Sequence, residues 1–481
     1  MFFLLGLWTS LAVVLSVVPA IIALVDGESR VFTAFISTSV GAGFFALMLI
    51  VSFWGYERRR TMGALILLPV LGFFILALVG GLPQYLLDEN SSWALILFEG
   101  MSAITTTGVS AYEDPDSSLY ALHVWRALLS WLGAFGSVVL ALTIANHVNS
   151  GGLRLHKSPV HSSDAGQGHA RLSAIAKRLL PFYSGLSLIF FLLFLAAGSS
   201  VRDSFILALG AISTAGITVE AGSSLISGTL VQAVAMVTML IAALNLDYHY
   251  AWYKGRREIY SQDGESRLFL IMLTAAIAAI LIIRWLAGGA LDGMMAFVWN
   301  SLFLAISALT TTGWIPQDGT HISYSMPLLL TMIGLACVGG TVSSTTGGLK
   351  ILRMIILIRH GARELARLAH PHGVASLRFA GTKVSERDMQ AVWLLVAGFL
   401  IFLIIGTLLL AIQGLGFQTS LLLALTSLTT SGPLMYLTDT DFAGFQGLLA
   451  QDYTVLSLLM LVGRLEVSIF LALLTKALWR T

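Results

Sequence analysis

An all-α polytopic membrane fold is what this sequence predicts, and three observations carry the prediction. Hydrophobic residues make up 57% of the 481 and charged residues only 11%, with a mean hydropathy of +0.87, a balance foreign to a water-soluble globule. Apolar runs long enough to cross a bilayer, which takes about 20 residues, recur from end to end. Four of these hydrophobic stretches break into short Ser/Thr-Gly turns, ITTTGVS at 104–110, ISTAGIT at 212–218, LTTTGWI at 309–315 and LTTSGPL at 428–434. Their glycines, Gly108, Gly216, Gly313 and Gly432, stand about a hundred residues apart.

The elements follow in order. Two apolar helices, 2–25 and about 31–55, form a hairpin closed by Asp26-Gly27-Glu28 and ended by Tyr56-Glu57-Arg58-Arg59-Arg60. Each later unit then reads as long helix, short apolar helix, Ser/Thr-Gly turn, long helix. The first unit is 62–87, 93–104, 105–110 and 121–148, and the second 172–199, 202–212, 213–217 and 224–253. The third is 266–287, 294–309, 310–314 and 322–358, and the fourth 388–412, 418–428, 429–433 and 451–478. Helices of more than 20 residues cross a hydrocarbon core of about 30 Å, whereas short ones of about 11 residues, rising 1.5 Å per residue, must enter and turn back. The expected organisation is an N-terminal transmembrane hairpin (1–57) plus four helix–pore-helix–filter–helix repeats (58–150, 151–257, 258–367 and 368–481) around a pseudo-fourfold pore.

A polar, glycine-containing turn at membrane depth survives only where its backbone lines a watery cavity, because hydrocarbon leaves each unpaired N–H or C=O costing several kcal/mol. One such turn reads as an ordinary helix end with a left-handed glycine. Four, each between a half-length and a full-length helix, point to one shared conduit. A half-helix aimed at mid-membrane puts the negative end of its dipole there, about half an elementary charge, and the turn's carbonyls can replace a cation's hydration water. The expected ion-binding filter comprises Thr106, Thr107, Gly108, Thr214, Ala215, Gly216, Thr311, Thr312, Gly313, Ser431 and Gly432, with hydroxyls supplementing the carbonyls.

In the third repeat, Gly339-Gly340-Thr341-Val342-Ser343-Ser344-Thr345-Thr346-Gly347-Gly348 interrupts the last helix, a break that the sequence shows in no other repeat. Glycines there cost about 1 kcal/mol each, so an unwound segment is expected beneath the filter, placed to obstruct the conduit or swing aside as a gate. A close-packing surface of small residues is the alternative. Lys350, just beyond, either anchors this loop through a carboxylate or points to the interface.

Charge sets the orientation. Basic residues cluster in the connections between units and at the C-terminus, from Arg58 through Arg178, Lys254, Arg257, Arg353, Arg363 and Arg387 to Arg480, which places those connections in the cytoplasm. The connections beside the glycine turns are acidic instead, and Glu220, four residues past Gly216, is the best single candidate for a mouth charge that concentrates cations. A net charge of +2 gives no footing for a nucleic-acid partner. One cysteine, Cys337, excludes an internal disulfide and reads as a packed thiol. Asn245-Leu246-Asp247-Tyr248-His249 lacks a third metal ligand and reads as a hydrogen-bonded turn, as does His370-Pro371-His372. No phosphate-binding or dinucleotide motif appears, so no enzyme activity and no cofactor of the chain's own is expected.

FEGMSAITTTGVS at 98–110, SALTTTGWI at 307–315, GGTVSSTTGGLKILR at 339–353 and GRLEVSIFLALLTKALWR at 463–480 resemble the bacterial potassium-uptake proteins of the Trk/Ktr/HKT superfamily, in particular the membrane subunit of the Trk system. The resemblance covers nearly the whole chain. It implies K+ as the transported ion, a multi-pass location in the bacterial cytoplasmic (inner) membrane, a homodimer and a separate cytosolic ring of nucleotide-binding regulatory subunits, for which the basic connection 353–387 is a docking surface, a positive-inside anchor being the alternative. It also implies that Arg464, with Glu466 nearby, reaches the pore below the filter. An Arg-x-Glu pair inside an apolar helix is costly and functional by default, the alternative being an interhelical structural pair. Ala215, and Thr-Thr-Ser before Gly432, depart from the usual family residues. All four glycines are present, which favours potassium over the sodium transport associated with a serine at the first glycine. A secondary transporter with two broken helices, a sodium-permeable member of the family and a non-conducting sensor are the competing readings.

Overall fold

The computed structural model describes residues 1–55, 62–88, 91–112, 120–144, 169–217, 226–287, 293–316, 325–370, 378–379, 382–437, 442, 444–465 and 467–474. Its helices are α1 (Phe2–Val25), α2 (Ser29–Ser52), α3 (Met62–Leu87), α4 (Trp93–Ile104), α5 (Tyr120–Ile144), α6 (His169–Ala196), α7 (Val201–Ile212), α8 (Thr229–Ala243) and α9 (Leu246–Tyr253). They continue as α10 (Ile259–Gln262), α11 (Gly264–Leu286), α12 (Met294–Leu309), α13 (Met326–Val338), α14 (Ile351–Ala369), α15 (Glu386–Ile412), α16 (Phe417–Leu428), α17 (Ala450–Leu465) and α18 (Val467–Leu474). A two-residue antiparallel pair, β1 (Arg378–Phe379) with β2 (Thr382–Lys383), sits in the basic connection after α14, where sequence gave no strand signal. By length and composition seven described helices can cross a membrane, eight if α8 and α9 count as one broken span. The chain is an integral, polytopic α-helical membrane protein.

Half-helices α4, α7 and α16 have 12 residues each and α12 has 16, its Met294–Leu309 coinciding with the expected 294–309. Side-chain caps start two of them: Ser92 accepts from the Leu95 N–H at 3.2 Å, and Ser200 from the Asp203 N–H at 3.1 Å. Each half-helix packs against the closing long helix of the preceding repeat: α7 against α5, α12 against α8, α16 against α13, and α4, which has no preceding repeat, against α17 of the last. That cyclic pairing makes the arrangement fourfold. The N-terminal hairpin α1–α2 leans on α3 and α5 outside the ring.

Two expectations need correction. The closing helix of the second repeat is not continuous over 224–253: it breaks after Ala243, and α8 and α9 meet at 97°. The third repeat is therefore not alone in having a broken closing helix. The Ala242 and Ala243 carbonyls freed by the bend are taken up by the loop between α13 and α14, so the two breaks satisfy one another at a depth where water is scarce. Asn245 starts α9 by accepting from the Asp247 N–H at 2.9 Å, and His249 lies between the Ile241 carbonyl and the Tyr260 hydroxyl, the hydrogen-bonded turn expected of this segment.

Candidate functional site

All four half-helices end in the same knot. In the first, the N–H of Thr106 donates to the Ala103 carbonyl at 3.0 Å and that of Thr107 to Ser102 at 2.9 Å. Equivalent pairs run from Thr214 and Ala215 to Ala211 and Gly210, from Thr311 and Thr312 to Ala308 and Ser307, and from Thr430 and Ser431 to Ser427 and Thr426. This is the Schellman pattern, which demands one left-handed residue. The residue that closes the knot is the threonine two places before the glycine: Thr106, Thr214, Thr311 and Thr430 have φ of 63°, 52°, 58° and 52°, and of the four glycines only Gly108 and Gly313 are left-handed as well, at 85° and 79°. A side chain in that region costs about 1–2 kcal/mol, and four identical outliers at one place mark a position the surrounding structure enforces. Thr430 was not among the residues expected from sequence, although aligning the four turns reveals it, because threonine and glycine are the only residues common to all four.

Hydroxyls brace the knots. Thr105, Ser213 and Thr429 each donate to a carbonyl one turn back, at 2.6, 2.6 and 2.8 Å. The hydroxyls of Thr105 and Thr107, Thr310 and Thr312, and Thr429 and Ser431 are bonded to each other at 2.9, 2.9 and 2.6 Å. Ala215 removes that bridge from the second turn. Further out, Ser102 donates to the Val109 carbonyl and Ser307 to that of Trp314.

The four turns close on one another. A Cβ built on Gly108 would sit 2.8 Å from the Gly216 backbone; one on Gly216 would meet the Thr312 carbonyl and lie 2.5 Å from Pro433; one on Gly313 would lie 3.2 Å from Pro433; and one on Gly432 would lie 2.8 Å from the Thr107 carbonyl. Repeat one thus touches two, two touches three, three touches four and four touches one. The Gly432 N–H completes the circuit by donating to the Thr107 carbonyl at 3.2 Å. The Gly108 carbonyl, by contrast, accepts from Arg126 Nη2 at 3.0 Å.

Beneath the ring lies the segment 339–350. Gly339, Ser343, Gly348 and Lys350 all have positive φ, which keeps it out of a helix. Thr341 donates through N–H and hydroxyl to the Ala243 carbonyl, and Thr345 does the same to Ala242, all at 3.0–3.2 Å. The Val342 N–H donates to the buried Glu265 carboxylate at 2.7 Å. Gly340 donates to the Thr346 hydroxyl, and Ser344 to the Thr341 carbonyl. Lys350 is buried and holds the loop through the Thr346 carbonyl at 2.5 Å and the hydroxyls of Thr346 and Ser344, rather than pointing out to an interface. Cys337, partly buried near the end of α13, accepts the Leu349 N–H through its carbonyl.

The loop presses on the ring asymmetrically. Thr214 donates its hydroxyl to the Thr345 carbonyl at 3.0 Å, the Gly347 N–H donates to the Thr311 hydroxyl at 2.8 Å, and Gly347 leaves no room for a Cβ against Thr429 and Thr430. Arg464, buried on α17, donates to that same Thr345 carbonyl at 2.7 Å. The hydroxyls of Thr106 and Thr430 are buried with no hydrogen-bond partner among the described residues. The loop thus engages the hydroxyls of Thr214 and Thr311 and leaves those of Thr106 and Thr430 without a hydrogen bond among the described residues.

Among the expected charges, Glu220 and Glu466 lie outside the described residues, as do most carboxylates beside the turns. Asp452 is buried and accepts the Leu449 N–H at 2.9 Å, a helix-start contact rather than a vestibule charge. Tyr112, just past the first turn, is hydrogen-bonded to Ser91; burial pushes its phenol up, against the pull of that bond. No cluster of three or more His, Cys, Asp or Glu able to hold a metal occurs among the described residues.

Four re-entrant half-helices, knotted onto one axis above a pinned loop, define a membrane protein of the cation-conducting class. The family model for TrkH, described as cation transport protein, matches residues 70–478. The chain belongs to that family. It is 28% identical over 477 residues to the Trk system potassium uptake protein TrkH of Salmonella typhimurium, covering 96% of this chain and 95% of the relative. It is 28% identical over 487 residues to the protein of that name from Halomonas elongata, covering 99% and 98%. The crystal structure of the potassium transporter TrkH from Vibrio parahaemolyticus superimposes with a TM-score of 0.89 at 25% identity, covering 100% of this chain and 99% of that one. The match to that polytopic structure and to proteins named for ion transport identifies the chain as a transporter rather than an enzyme.

Proposed function

We propose that this chain takes up potassium across the cytoplasmic membrane of a bacterium through a gated, channel-like pathway. Its filter is 106–108, 214–216, 311–313 and 430–432, and its gate is the loop 339–350 with Arg464. The observation that carries the proposal is the circuit of backbone contacts joining the four glycine turns in repeat order. Four half-helix C-termini give the ring a negative potential suited to a dehydrated cation, and an inside-negative membrane contributes about 2.3 kcal/mol per charge per 100 mV to its entry. The choice of potassium rests on the relatives, named for potassium uptake over nearly their whole length.

The contacts of Thr345 with Thr214 and Arg464 fit a closed gate. We read the chain as five units, 1–57, 58–150, 151–257, 258–367 and 368–481. The partners we propose are a second copy of the chain and cytosolic nucleotide-binding subunits. α14 runs directly from the gate loop and exposes Leu365 and Leu368 beside Arg363 and Arg367, which suits a lever for such a partner.

The test is rubidium uptake into proteoliposomes. Gly108→Arg should abolish it while the protein remains folded and monodisperse, and uptake at the unaltered rate would refute the filter assignment.

A further inference from the structure

Behind the first turn lies a charged pair with no counterpart at the same place in the other three. Glu99, within α4, is buried; its carboxylate accepts from the Ala111 N–H at 2.6 Å and the Ser110 hydroxyl at 3.0 Å, with Arg126 Nε 4.0 Å away. Arg126, on α5 and also buried, is the residue whose Nη2 donates to the Gly108 carbonyl. Seven residues before the left-handed threonine, where repeat one has Glu99, the others have Leu207, Leu304 and Leu423, all buried. No side chain among the described residues donates to the Gly216, Gly313 or Gly432 carbonyl.

Burying two charges costs several kcal/mol per ion before their attraction and hydrogen bonds offset it. A fold that needed only to pack α4 against α5 could use leucine, as it does three times. What the pair adds is a charge-assisted hydrogen bond to one filter oxygen and a clamp, through Ala111 and Ser110, on the strand leaving the filter.

We propose that Glu99 and Arg126 are positioning residues for ion discrimination. Arg126 draws the Gly108 oxygen off the axis, so that the outermost ring offers oxygens from three repeats and the entering cation keeps water on the fourth side. Glu99 orients the guanidinium and offsets its charge. This rests on the filter assignment above.

The test is the K+/Na+ permeability ratio from reversal potentials of the full-length chain in bilayers. The double variant Glu99→Gln/Arg126→Gln removes both charges and frees the Gly108 oxygen. It should change the ratio about tenfold, the weight of one charge-assisted hydrogen bond, and Arg126→Lys, which keeps the charge and a donor, should restore most of it. Gly108→Ser serves as the control on the filter itself. If Gly108→Ser alters the ratio and the double variant leaves it within about twofold of the unaltered chain, the inference is overturned while the filter stands. If neither alters it, the filter assignment fails and takes the inference with it. Should the double variant not fold, Glu99→Gln alone still accepts the Ala111 N–H but leaves the guanidinium charge uncompensated. Its K+ conductance should fall by about threefold or more, and an unchanged conductance and ratio would equally overturn the proposal.

Discussion

One added methyl group at Gly216 tests how tightly the four turns are closed. Its Cβ would overlap the Thr312 carbonyl oxygen of the third repeat and lie 2.5 Å from Pro433 Cγ and 3.0 Å from Pro433 Cδ of the fourth. Backbone on one side and a rigid ring on the other cannot swing aside, so the second turn itself must retreat. Overpacking of this kind costs about 1–3 kcal/mol, which as a displaced equilibrium is about a 5- to 150-fold loss of the closed ring. Gly216→Ala should therefore lower rubidium flux into proteoliposomes by about tenfold or more. Gly136→Ala, on α5 with nothing within 4 Å of its added Cβ, should leave flux unaltered. A folded Gly216→Ala protein with the flux of the Gly136→Ala control would refute the reasoning, because it would mean that the turns are not in contact where ions pass.

Further outcomes follow from the loop beneath the ring. Thr214→Val removes a hydroxyl donated to Thr345 and should raise the ungated leak, measured as rubidium efflux without any partner. Thr106→Val removes a hydroxyl with no hydrogen-bond partner among the described residues and should change potassium affinity in a concentration series instead, leaving the leak alone. Arg464→Gln weakens a charge-assisted bond worth about 1.5–3 kcal/mol, so efflux should rise roughly tenfold or more; unchanged efflux would remove Arg464 from the gate. Glu265→Ala strands the partly buried Val342 N–H, at a cost of about 1 kcal/mol, and should speed exchange of loop amides against deuterium. Glu265→Gln keeps an acceptor there and should do so far less.

The half-helices and their turns were legible because length and polarity are local: twelve apolar residues followed by Thr-Thr-Thr-Gly cannot span a bilayer and cannot sit in lipid. Locality also misled. Glycine has the strongest left-handed preference of any residue, so the turns drew attention to Gly108 and its equivalents, whereas the strained backbone sits on Thr106, Thr214, Thr311 and Thr430, held there by tertiary packing. The bend after Ala243 was legible only in part: Asn245-Leu246-Asp247-Tyr248-His249 reads as a hydrogen-bonded turn, but a local turn does not announce a 97° break, and the donors that take up the freed carbonyls, Thr341 and Thr345, lie about a hundred residues downstream. Glu99 and Arg126 stood in plain sight within an apolar stretch, but only the packing of α4 on α5 turns two separate charges into a brace on one carbonyl.

In the proposed filter the four turns share one cation on a common axis. Anomalous scattering from rubidium or thallium in crystals of the full-length chain tests it directly. A peak is expected on the axis enclosed by 106–108, 214–216, 311–313 and 430–432, lost in Gly108→Arg. A peak elsewhere, with none between those turns at saturating ion, would contradict it.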